Sequence, residues 1–101
     1  MNQEMKIRTI SVDPQAKSLS IVAEIDFDRF ELFAEALVKA LDCRVIERHW
    51  GADRHQWLLD FEGSLLQLNY EFYGDVCWLS VERDDEVEVL VYLATLLESQ
   101  R

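Results

Sequence analysis

Apolar residues recur along this chain with two different periods, and the switches between them mark out its elements. Leu19, Ile21, Ala23 and Ile25 alternate with polar or small residues, as a half-buried strand requires. A run rich in Ile and Val at 5–12 precedes them, and Asp13-Pro14 marks the turn between the two. The period then lengthens. Phe30, Phe33, Ala34, Leu37, Val38 and Leu41 form one stripe at helical spacing, which predicts a helix over 28–41. Asp28 and Glu31 have the spacing of a capping box, and Phe27 and Leu32 that of a hydrophobic staple.

Residues 43–82 return to alternation and predict four strands in a meander. Glu62-Gly63 reads as a two-residue turn. It pairs Leu59 with Leu66 and Trp57 with Leu68 on one face, and Arg54 with Glu71 on the other. Gly74-Asp75 reads as a second tight turn, pairing Leu68 with Val81, Tyr70 with Leu79 and Phe72 with Cys77. Both turns bring the same apolar positions onto one face, an agreement that a one-residue slip would destroy. The opposite face holds Leu58, Asp60, Gln67, Asn69, Glu71, Trp78, Ser80 and Glu82, with Trp78 opposite Glu71.

Residues 85–98 predict a second helix, capped by Asp84 or Asp85, with acids in its first turn facing the helix dipole. Val87, Leu90, Val91, Ala94 and Leu97 form one stripe, and Val89, Leu93 and Leu96 form another. A surface helix needs only one. Either this helix is deeply buried or its second stripe meets another chain. The order β-β-α-β-β-β-β-α predicts an α+β fold. It is a two-layer sandwich in which two helices cover one face of a mainly antiparallel sheet, as a single domain over 1–101.

Composition supports a packed core. Half of the 101 residues are apolar and 11% are aromatic, enough for one core without a metal or disulfide staple. Three Gly and one Pro are too few for a disordered chain. No apolar run is long enough to span a membrane, and the polar start Met1–Arg8 lacks a signal-peptide pattern, so a cytoplasmic location is expected. Cys43 and Cys77 lack CxxC spacing and read as reduced core thiols.

Charge narrows the partners. Twenty acids against ten bases give a formal charge of −10, which repels phosphate backbones and argues against nucleic-acid binding. The distribution is uneven. Residues 43–57 hold three Arg, both His and only Glu47 and Asp53 as acids, whereas Glu82–Glu88 hold five acids and one Arg.

Signatures of catalysis are absent. The three glycines fall in separate turns, so no phosphate-cradling loop can form, and there is no GxSxG. One register of the 43–57 hairpin sets His49 opposite His55 with Glu47 on the same face, a set that could bind zinc or move protons. The bland alternative is that these histidines flank a turn at the sheet margin. Cys77 falls on the apolar face, where a thiol is inert, and carboxylate pairs among twenty acids are inevitable. Trp50 and Trp78 are candidates for exposed anchors, Trp78 alternatively packing beneath the N-terminal strands.

The segment Gly51-Ala52-Asp53-Arg54-His55-Gln56-Trp57-Leu58-Leu59-Asp60-Phe61-Glu62-Gly63, followed by Leu68-Asn69-Tyr70-Glu71, resembles a small family of acidic bacterial proteins known as a domain of unknown function. The resemblance implies a free-standing cytoplasmic bacterial protein and carries over no catalytic residues and no cofactor.

Three functions remain in play. The first is a non-enzymatic protein-interaction module, expected to be a homodimer, with Val89, Leu93, Leu96, Trp78 and Trp50 as its contact residues. The second is an acidic partner that neutralises a basic protein, immunity-like or mimicking nucleic acid. The third is a small metal protein or enzyme using Glu47, His49 and His55.

Overall fold

The structure, a computed structural model, describes residues 6–100, with Phe27 described by its backbone alone. Its elements run β1 Ile7–Asp13, β2 Ser18–Ala23, α1 Phe30–Leu41, β3 Arg44–Trp50, β4 Arg54–Phe61, β5 Ser64–Glu71, β6 Val76–Ser80 and α2 Val87–Glu98. All six strands join one antiparallel sheet in the order β1-β2-β6-β5-β4-β3. The chain makes the β1–β2 hairpin, crosses through α1 to the far edge, and returns by the β3–β6 meander. β6 thereby docks on β2. This is the predicted α+β order. The start of the first run, at Met5, and the staple on Phe27 lie outside what the structure describes.

The Asp13 side chain closes the first turn by accepting the backbone N–H groups of Gln15 and Ala16. All six stripe residues of α1 are buried. Asp42 ends that helix in the left-handed conformation at φ 57°, and Cys43 N–H reaches back to the Val38 carbonyl. The helix starts differ from expectation. A single 3-10 turn, Phe27–Arg29, leads into α1, so Asp28 lies inside that turn and the Asp28–Glu31 capping box does not form. A similar turn at Asp84–Glu86 leads into α2, whose N-cap position is Glu86 without a side-chain cap.

The β4–β5 hairpin has the predicted register at every pair, turning on Glu62 at φ 52° and Gly63 at φ 93°. The β5–β6 hairpin does not. Its loop takes four residues, Phe72–Asp75, so Leu68 pairs with Leu79 and Tyr70 with Cys77. That differs from expectation by two residues; a shift of two keeps Leu68, Tyr70, Cys77 and Leu79 on the apolar face, but Phe72, expected to pair with Cys77 there, lies exposed in the loop.

The helices and the apolar face of the sheet share one core, centred on Trp57, Leu59, Leu68, Leu79, Phe30 and Leu37. In α2 the buried line is Leu90, Leu93 and Leu97, which straddles the two expected stripes. Leu93 is wholly buried against the chain's own sheet, so it offers no contact surface. Val89 and Leu96 are half-buried against the same core. The exposed apolar residues of α2 are instead Val91 and Tyr92, and Tyr92 leans on Phe61. Among the described residues no helix is long and apolar enough to cross a membrane.

Candidate functional site

Both helices lie on one face of the sheet, and the other face is uncovered. Strand alternation decides what it displays. One row crosses all six strands: Ser11, Ser20, Trp78, Asn69, Gln56 and His49. The next reads Asp13, Ser18, Ser80, Gln67, Leu58 and Glu47. Trp78 thus faces the open side beside Ser20, half-buried among its neighbours. A shallow groove between β2 and β6 is edged by Ser18, Ser20, Val22, Val76, Trp78 and Ser80.

The centre of this face is an amide network. Gln56 Nε2 donates to Gln67 Oε1 and to Asn69 Oδ1, each at 2.9 Å. Asn69 Nδ2 lies within reach of the Gln67 carbonyl, the Trp78 carbonyl and Ser80 Oγ at 3.2–3.4 Å. These bonds account for Asn69 being buried on a face that no helix covers, since an unsatisfied buried amide would be costly. The network was missed in the sequence, although Gln67 and Asn69 alternate with Leu66 and Leu68 as open-face residues must.

Charge divides the open face into halves. On the β3–β4 side, Arg44 pairs with Asp60 at 3.0 Å, Arg54 with Glu71 at 3.2 Å and His49 with Glu47 at 3.0 Å. On β1, β2, β6 and β5 the positions Thr9, Ser11, Ser18, Ser20, Val22, Val76, Trp78, Ser80, Leu65, Gln67 and Asn69 are all uncharged. Asp13 and Glu71 stand at the corners of that region, and Arg8, at the β1 register shift beside Thr9, lies at its edge with Glu24.

The proposed histidine set does not assemble. Trp50, not His49, pairs with His55, because the β3–β4 loop closes one residue away from the register that would align them. His49 and Glu47 therefore share the open face, while His55 faces the helices and stacks on Phe30 at 4.5 Å between centroids. A bulge at Ile46 sets this parity, placing Ile46 and Glu47 together against Leu58. Among the described residues no group of three His, Cys, Asp or Glu side chains could hold a metal ion. Trp50 is 72% exposed at the end of β3, on the helix side of the sheet.

The remaining titratable groups sit as structural pieces. Burial pushes the Cys77 thiol well above its usual range. Burial, with Asp42 and Asp60 adding to it, pushes Cys43 up to about 12. Tyr70 is pushed up to about 12, first by burial and then by Asp75, which accepts its hydroxyl at 3.2 Å. Arg8 bonds Glu24 at 2.7 Å and holds that carboxyl below its usual range. In the acidic run, Arg83 takes Asp85 and Lys17 lies 3.6 Å from Asp84. A groove bordered by Lys6, Glu24, Asp26, Arg29 and Leu32 mixes both signs of charge without a convergent set.

No curated protein and no solved structure matches the chain. One family does match, over residues 7–98, and it spans every strand and both helices. The chain belongs to that family, described as Protein of unknown function (DUF3630).

Proposed function

We propose that this chain is a non-enzymatic protein-interaction module and that the open face of its sheet is the contact surface. The uncovered face carries the reading: six strands are roofed on one side only, and the bare side places Trp78 beside small hydroxyl residues and a satisfied amide network. A half-buried Trp in such a setting is the residue type that anchors protein contacts. The open-face positions of β2 and β6 with Leu65, Gln67 and Asn69 of β5 are uncharged, so that part of the face can be desolvated with little charge burial.

Photo-crosslinking tests this. A photoreactive residue in place of Ser20, on the open face, should capture protein in cells, and one in place of Glu31, on α1, should not. No adduct from Ser20, or equal adducts from both sites, would sink the reading.

A second reading has one supporting observation, the exposure of Glu82, Arg83, Asp84 and Asp85 ahead of α2. A basic protein docked there would dissociate as salt rises. Binding unchanged between low and high salt would remove it.

A further inference from the structure

We infer that the open face takes a second copy of this same chain, packed face to face about a two-fold axis. The inference rests on the interaction-module reading and names its partner. Three observations support it.

The first is charge. Two molecules of formal charge −10 repel wherever acids meet acids. The open-face positions of β2 and β6, with Leu65, Gln67 and Asn69 of β5, carry no charged side chain, in a chain where 30% of residues are charged. There two copies can approach without burying like charges against each other.

The second is shape. A two-fold contact must be complementary to itself, with a projection and its receptacle on the same surface. Val22 and Val76 are exposed on that half of the face, and beside them lies the half-buried Trp78. Its cross-strand neighbour is Ser20, and Ser11, Ser18 and Ser80 leave low ground beside it. The exposed valines of each copy would lie over the serine trough of the other, with Trp78 at its side. Gln56 and Gln67 carry both donors and acceptors, so amides facing amides can bond in either sense.

The third is area. The four strands of that half, about 4.8 Å apart and about 21 Å long, give a flat patch on the order of 400 Å². Two such patches meeting bury about 800 Å² in all, the size of a weak, reversible contact.

Sedimentation equilibrium of the purified chain tests the inference, with Ser20→Glu and Ser11→Glu as variants and Glu31→Lys as control. Ser20 and Ser11 are exposed, so neither change disturbs the core. The wild type and the control should show a dimer, and each glutamate should weaken it by at least about a hundredfold by burying like charges at the axis. A wild-type monomer at millimolar concentration overturns the inference, as does a dimer indifferent to both glutamates. If the chain is monomeric yet Ser20 crosslinks to a different protein, the second-copy inference falls while the interaction-module reading stands.

Discussion

The Arg48 guanidinium lies 4.4 Å above the ring of Trp57, and its Nη2 is 3.5 Å from Glu35 of α1. Arg48 is the residue of edge strand β3 that stands opposite Trp57, so it closes the open margin of the sandwich over a fully buried indole. The contact is a cation on an aromatic face, backed by a solvent-exposed ion pair.

The first prediction concerns that margin. Arg48→Ala should cost about 1 kcal/mol, through lost cation–π attraction and uncovered apolar surface. In a domain of this size the melting temperature should fall by roughly 4–8 °C. Glu35→Gln should cost no more than about 0.5 kcal/mol, because the ion pair is exposed. Thermal denaturation of both variants checks this, and equal losses would place the stabilisation in the ion pair instead.

What could be read along the chain depended on how local each signal was. The β4–β5 register was legible because Glu62-Gly63 defines a turn of fixed length. The β5–β6 register missed by two residues, since Gly74 suggested a tight turn whereas Phe72–Asp75 form a longer one. The faces of the paired residues still agree, because the side-chain period is two, while Phe72 leaves the apolar face for the loop. The histidine set failed by one residue of register, an error that reverses faces. Where β1–β2 joins the sheet has no local signature. The Ser20–Trp78 neighbourhood is a long-range pairing and became visible only in the assembled fold.

The second prediction concerns the amide network. Asn69→Asp keeps the shape but replaces a donor that faces the Gln67 carbonyl, the Trp78 carbonyl and Ser80 Oγ with an acceptor. The loss should be about 2–3 kcal/mol at neutral pH. Urea titration should show a lower midpoint with an unchanged slope. A variant as stable as the wild type would mean that the network does not hold in solution.

The third prediction concerns alkaline pH. Cys43 and Tyr70, each pushed up to about 12, and the buried Cys77 all hold their protons more tightly folded than unfolded. Above the ordinary thiol value of 9.0 the unfolded chain has shed protons that the folded chain retains. Stability is therefore whole below that value and declines as pH rises toward about 12. Urea midpoints measured from neutral pH upward should fall past that point, and Cys43→Ser with Cys77→Ala should flatten the fall. A midpoint that stays level up to pH 11 would contradict the burial of these groups.

Both outer strands depart from regular pairing. β1 shifts register at Arg8, and β3 bulges at Ile46. Unpaired strand edges are templates on which further chains can add, and bulges are a means by which native sheets prevent this. The margins of this sheet thus resist lengthening into a ribbon. Contact through the flat side uses up its surface once two molecules have met, whereas contact through the rim could repeat without end. The irregular rims favour a finite particle over a fibre, a useful property in a chain with an exposed, partly apolar sheet.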